Sequence, residues 1–363
     1  MDRAAACGLQ GLAHGQLPLR RTVPGVGRPP LLAGRPVRSL LIQGGERAMN
    51  APVPQPARLT LPILRQRVLG AYLGLAVGDA LGATVEFMTP AEIEAEYGVH
   101  RQIRGGGWLH LKRGQVTDDT EMSLALGEVY LRHQGFPPAA VAEAFSEWMR
   151  GKPADIGHTV RRGIIRFRTE GLSEVPENDM DGGNGAAMRC LPVALGLLGA
   201  PVEEVHAASR AQAHTTHHNV LSDAGTECII DLVQGAVCGE GLPWMAERVG
   251  TLTTAHRQFR YDRKPTRNPS GFIVDTLRVV FQALFTTNSF EEALVEAVNR
   301  GGDADTTGAI LGMVAGALYG EQGIPWRWRH ALLPEVREAC ETQALRLLAA
   351  SPLHRSLEEA GAE

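Results

Sequence analysis

Cysteine is scarce and poorly placed for a scaffold role: the 363 residues contain five, Cys7, Cys190, Cys228, Cys238 and Cys340, with no CxxC pair among them. That spacing excludes a disulfide framework or a zinc ribbon as organising principle, and an odd count suits a reducing compartment. Long apolar runs are missing as well, none approaching the roughly 20 residues that cross a bilayer. A cytoplasmic protein is expected. Charge of one sign is also lacking: 36 Lys+Arg stand against 40 Asp+Glu, a formal net charge of -4. Without a positive field over the whole molecule, no nucleic-acid partner is expected.

What is present divides into two parts. Residues 1–48 carry seven Arg, from Arg3 to Arg47, against Asp2 and Glu46, amid Gly and Pro without hydrophobic period. Such a stretch cannot bury enough apolar surface to order itself, so 1–60 reads as a disordered extension. Gln43-Gly44-Gly45-Glu46 can be written in purine-rich codons resembling a ribosome-binding site, which makes Met49 a candidate true start. From 61 to 352 the chain is a succession of helical patterns separated by Gly, Pro and Asn, which predicts an all-α fold in a single domain, with 353–363 as a flexible tail. Helices are predicted at about 119–133, 138–150, 157–168, 186–199, 219–237, 271–286 and 335–349. Another opens with a capping box, Ser289 and Glu292, before Phe290, Leu294 and Val298 at four-residue spacing.

Two further helices carry glycine ladders: Gly70, Gly74, Gly78 and Gly82 in one, Gly308, Gly312, Gly316 and Gly320 in the other. Each interior glycine costs about 1 kcal/mol of helix propensity against alanine. Four per helix require a compensating gain, and very close approach of neighbouring helices supplies it. Asp79 and Glu86, in or beside the first ladder, argue against a membrane-type GxxxG pair.

Acids cluster at two helix starts with the same grammar: Thr117-Asp118-Asp119-Thr120, and Gly301-Gly302-Asp303-Ala304-Asp305-Thr306-Thr307 at the head of the second ladder. One such cluster reads as an N-cap, since Thr and Asp cap helices and acids complement the macrodipole. Two change the odds. Gathered in a low-dielectric centre, four carboxylates repel unless cations neutralise them, and Asp and Thr oxygens suit Mg²⁺ or Mn²⁺ better than zinc. An EF-hand is excluded because Val129 and Val314 stand where its bidentate Glu belongs. Taken alone, Asp155 reads as an N-cap, Asn184-Gly185 as a glycine-rich turn with a weak phosphate signal, His217 as structural or substrate-contacting, and Phe272 as core.

With these residues in hand, the sequence resembles the ADP-ribosylglycohydrolase family from about Arg67 to about Leu348. The resemblance is densest at Gly78–Phe87, Gly105–Met122, Gly182–Pro192 and Asn299–Gly320. GGGWLHLK (Gly105–Lys112) is similar to the nitrogen-fixation branch. The resemblance implies a compact orthogonal helical bundle with a central two-metal cleft holding Mn²⁺ or Mg²⁺, and hydrolysis of the bond between ADP-ribose and an arginine of dinitrogenase reductase, with free ADP-ribose as product. Carried over by position, Thr117, Asp118, Asp119, Asp303, Asp305 and Thr306 hold the metals. Asp155 is the catalytic acid/base beside Asp119 and Asp303. Glu86 closes over the site, Gly157 and His158 follow the catalytic Asp, Asn184 and Gly185 handle the diphosphate and ribose, and His217 lies near the adenosine. Phe272 takes a position where a relative has Tyr, and His158 one where Asn is common. The family also implies a monomer, with control through a PII signalling protein and an ammonium channel that brings the protein reversibly to the membrane. Two alternatives stay open: action on serine- or ester-linked ADP-ribose, and a non-catalytic ADP-ribose-binding regulator.

Overall fold

The computed structural model describes residues 59–361, so the extension and the candidate start at Met49 lie outside the described residues. Within them the chain forms fifteen α-helices and no strand: α1 (Leu61–Gly82), α2 (Pro90–Tyr97), α3 (Asp118–His133), α4 (Pro138–Arg150), α5 (His158–Glu170), α6 (Leu191–Gly196), α7 (Val202–Ala213), α8 (Val220–Cys238), α9 (Leu242–Ala255), α10 (Ile273–Thr286), α11 (Phe290–Val298), α12 (Ala304–Gly323), α13 (Trp326–Arg329), α14 (Pro334–Ala350) and α15 (Pro352–Gly361). The all-α expectation is met. Among the described residues no helix is long and apolar enough to cross a membrane.

The two glycine ladders pack on each other. A Cβ built on Gly70 would lie 2.2 Å from the Gly316 carbonyl oxygen, on Gly74 2.1 Å from that of Gly312, and on Gly78 2.0 Å from that of Gly308. Gly82 meets Ala304 in the same way. Partner numbers fall along α12 as they rise along α1, so the helices are antiparallel, backbone against backbone. Only glycine permits that approach, and it offsets the propensity cost through dense dispersion contact. Helices α3, α8, α10, α11 and α14 pack around this pair, and Leu73, Leu75, Val77, Ile310, Leu311 and Val314 join one buried core with them.

Several boundaries differ from the sequence reading. The helix expected over 186–199 is reduced to α6, because the amides of Ala187 and Met188 fold back onto the Asn184 carbonyl and hold 184–190 as a turn. Helices α2, α7 and α9 lie where the periodicity assigns none. Yet α2 has clear end signals: Pro90 at its first turn and a reciprocal Thr89–Glu92 capping box. The Ser289 box is half made. Ser289 accepts from the Glu292 amide, while the Glu292 carboxylate accepts from Asn288, one residue earlier than the motif requires. Residues 353–361, expected as a flexible tail, continue as α15, where the Leu353 amide donates to Leu198 at 2.9 Å.

Candidate functional site

The ladder pairing sets the chemistry because it puts the C-terminal end of α1 against the N-terminus of α12. Asp79, one residue past Gly78, is fully buried there. Its carboxylate accepts from the Thr117 amide at 3.0 Å and from the Thr120 amide at 3.2 Å, and both hydroxyls donate to it, at 3.0 and 2.5 Å. Asp79 therefore caps α3 from another helix. Thr117, at the N-cap position, makes no side-chain cap of its own; its hydroxyl lies 3.0 Å from both Asp79 and Asp119, and its single proton is shared between the two carboxylates. The motif keeps the cap position and places Asp118 and Asp119 in the first turn, but the capping hydrogen bonds are accepted by Asp79 and not by the motif itself. Relieved of capping, Asp118 and Asp119 turn inward.

The second motif arrives from α12. Thr306 donates to Asp119 at 3.4 Å, joining two motifs 187 residues apart. Glu86, Asp303 and Asp305 present carboxylate oxygens within 4.8 Å of one another, a group able to hold a metal ion. Glu86 thus sits inside the acid set and not merely over it. Its position is fixed by the Trp108 indole, which donates at 2.6 Å.

Burial without countercharge dominates the electrostatics. Desolvation, followed by the Asp155 charge, pushes Asp118 up to about 8. Desolvation likewise pushes Glu86 to about 8, against the Trp108 hydrogen bond, and holds Asp119 and Asp305 well above the ordinary carboxylate range. Asp303 is raised by burial too, although Asn184 donates to it at 2.5 Å. One oxygen of Asp119, Oδ1, is buried with no hydrogen-bond partner. An orphaned carboxylate oxygen inside a set of hard oxygen donors fits divalent cations and no protein partner.

Glu86, Asp118, Asp303, Asp305 and Thr306 line a cavity of about 300 Å³. Asp155, Gly157 and His158, from the loop leading into α5, give it a second wall. Asp155 is half-buried and its carboxyl is raised by desolvation, against a hydrogen bond from the Ile156 amide. It is not the cap of α5; Gly157 holds that place and donates its amide to Asp118 at 3.3 Å. The third wall is the turn of Asn184 and Gly185. Asn184 is clamped three ways: its amide donates to Gly271, its side chain to Thr276 at 2.9 Å, and again to Asp303. His217 lies beneath this turn, where a Cβ on Gly185 would come within 2.7 Å of its ring. Glycine is required there by the histidine.

Most residues singled out from the sequence are thereby brought together. Thr117 and Asp119 stand just behind the cavity wall. Phe272 does not line the cavity: it is 39% exposed, its ring lies against Gly182, and so it is not core either. Sequence reasoning missed Asp79, whose signal was an acid in the middle of an otherwise apolar ladder. It also missed Phe87, which lines the cavity with a backbone φ of 62°, a conformation costly for a bulky side chain.

Residues 60–357 match the family model for ADP-ribosylglycohydrolase. The chain is 46% identical over 295 residues to the ADP-ribosyl-[dinitrogen reductase] glycohydrolase of Rhodospirillum rubrum, covering 81% of this chain and 100% of that protein. It is 32% identical over 286 residues to the ADP-ribosylarginine hydrolase Tri1 of Pseudomonas putida (strain GB-1), covering 72% and 73%. A solved structure described as an ADP-ribosylglycohydrolase-related protein complex is similar with a TM-score of 0.72 and 34% identity, over 80% of this chain and 99% of that one. With an acid-lined cavity formed by both motifs and a family match spanning nearly all the described residues, the chain belongs to the ADP-ribosylglycohydrolase family.

Proposed function

We propose that the protein is a metal-dependent hydrolase that removes ADP-ribose from an arginine side chain of dinitrogenase reductase. The observation that carries the chemistry is the convergence of Asp118, Asp303, Asp305 and Glu86 on one cavity, with Asp119 behind its wall and one buried oxygen of that carboxylate left without partner. The target follows from the full-length similarity to the Rhodospirillum rubrum protein. Similarity to Tri1 supports arginine linkage on other proteins as a second reading.

Asp303, Asp305 and Glu86 would hold one divalent cation, and Asp118, Asp119 and the Thr117 and Thr306 hydroxyls a second, Mn²⁺ or Mg²⁺. Bound there, the ions would supply positive charge beside the ribose and lower the pKa of a bound water towards about 7. Asp155, which lines the same cavity, moves the proton that the departing guanidine requires. Desolvation raises its carboxyl above the ordinary value, the direction in which a general acid is tuned. Asn184, clamped to Asp303 and Thr276, orients the sugar, and the negative wall stabilises the oxocarbenium character that develops as the N-glycosidic bond breaks. A monomer in the cytoplasm, controlled by a PII protein and an ammonium channel, completes the proposal.

The test is a panel of arginine-linked and serine-linked ADP-ribosyl substrates, scored by release of free ADP-ribose. Release from the arginine-linked iron protein is the expected result. Release from the serine peptide alone would overturn the target, and no release from either would leave a binding protein.

A further inference from the structure

Arg189 is the largest charged side chain fully buried in the fold, and the cleavage chemistry makes no use of it. It ends the turn that begins at Asn184. Its guanidinium donates to the Gln212 side chain at 2.9 Å, to the Gln212 carbonyl at 3.0 Å and to Thr216 Oγ1 at 2.8 Å, and it lies 4.4 Å from the centre of the Phe145 ring. Thr216 Oγ1 in turn lies 2.8 Å from His217 Nδ1.

Donor and acceptor roles along this chain follow from chemistry. A guanidinium has five N–H donors and no lone pair to offer, so Thr216 must accept from Arg189. The hydroxyl proton then needs an acceptor of its own. Thr216 is buried, and the one acceptor recorded within reach of its hydroxyl is His217 Nδ1. The opposite arrangement, with Nδ1–H donating to Thr216, would strand a buried hydroxyl proton, at a cost of about 1–3 kcal/mol. A doubly protonated ring is opposed by burial and by the charges of Arg189 and Arg162, which hold the His217 pKa well below its ordinary value. The remaining nitrogen, Nε2, lies beside Gly183 and Gly185 at the cavity wall, with no hydrogen-bond partner recorded.

We propose that Arg189, acting through Thr216, fixes His217 as the Nε2–H tautomer, so that its ring presents a hydrogen-bond donor to the cavity. Arg189 and Thr216 are positioning residues, and the ligand atom they select is an oxygen acceptor. On the function proposed above, that atom is a phosphate or ribose oxygen of ADP-ribose. This last clause rests on that reading; the tautomer does not.

Long-range proton–nitrogen NMR on histidine-labelled protein reads the tautomer directly. The wild-type His217 signal is expected in the Nε2–H pattern from pH 6 to 8. Thr216→Val keeps the shape and removes the hydroxyl that donates to Nδ1; the Nδ1 resonance should move downfield, as an imine-type nitrogen does on losing its donor, and ADP-ribose binding should weaken as the ring is freed to turn. Thr216→Ser should restore both, which a purely structural role would not produce. Arg189→Met, where folded, should give a mixture of tautomers by freeing the Thr216 lone pair. An Nδ1–H signal in the wild-type protein overturns the proposal even if no variant folds, and so does a Thr216→Val signal identical to wild type. Absence of ADP-ribose release from any substrate, with the Nε2–H pattern intact, would remove the ligand assignment and leave the relay standing.

Discussion

Asp119 shows how a single side chain can be costly to the fold and necessary to the site. It is fully buried, one oxygen has no partner, and burial together with the Asp79 and Asp118 charges holds its carboxyl well above the usual range. Asp119→Asn keeps the shape and removes the charge. Turnover should fall at least a hundredfold, whereas in a chelator the variant should melt above the wild type, because an unpaired buried charge is gone. A variant that unfolds, judged by circular dichroism, would make Asp119 structural. The same electrostatics gives a pH dependence. Raised carboxyls mean that the folded state binds protons more tightly than the unfolded one, so their contribution is present at pH values below the unfolded pKa and is lost as pH rises through the folded values. Those values are about 6 for Asp79 and about 8 for Asp118 and Glu86. In a chelator the melting temperature should therefore fall between about pH 5 and 8, and Mn²⁺ should reverse most of the fall at pH 8; a flat or rising profile contradicts the assignment. At this scale the sequence was legible where two motifs repeated one grammar. Asp79 was not, because its partners Thr117 and Thr120 lie some forty positions away and nothing local marks a cap supplied from another helix. Asp79→Ala should cost about 2–4 kcal/mol, since four donors lose their acceptor together, as urea unfolding would measure.

Helix α1 and helix α12 were readable as elements because four glycines at four-residue spacing have no other inexpensive explanation. Their partnership was not readable, since a ladder states that something approaches closely and not what. The contact predicts a contrast between glycines. Gly78→Ala places a methyl 2.0 Å from the Gly308 carbonyl oxygen and should cost about 3 kcal/mol or more, with loss of activity as the acids at the helix ends move apart. Gly250→Ala, inside α9 with nothing within 4 Å, should instead stabilise by about 0.4–1 kcal/mol. Denaturant midpoints of the two variants shifting in the same direction would contradict the packing. Helix α6 illustrates the opposite case. Residues 186–190 carry a helical pattern, yet a side-chain-anchored turn around Asn184 wins locally, because the site needs that turn open over His217. Tertiary demand of that kind leaves no trace in periodicity.

Over the whole molecule, antiparallel ladder packing is what converts two distant acidic helix starts into one cavity, and the Asn184 turn and the Asp155 loop close it from the other sides. The site has no local address: every wall comes from a different stretch of chain, and the family match runs over nearly all the described residues. The most direct test is release of free ADP-ribose from arginine-ADP-ribosylated dinitrogenase reductase, with Mn²⁺, with Mg²⁺ and with a chelator, by the wild-type protein and by Asp155→Asn. Release that needs the metal and falls about a hundredfold or more in Asp155→Asn is the expected result. Release that persists undiminished in the chelator, or in Asp155→Asn, would contradict a metal-dependent hydrolase built on these residues.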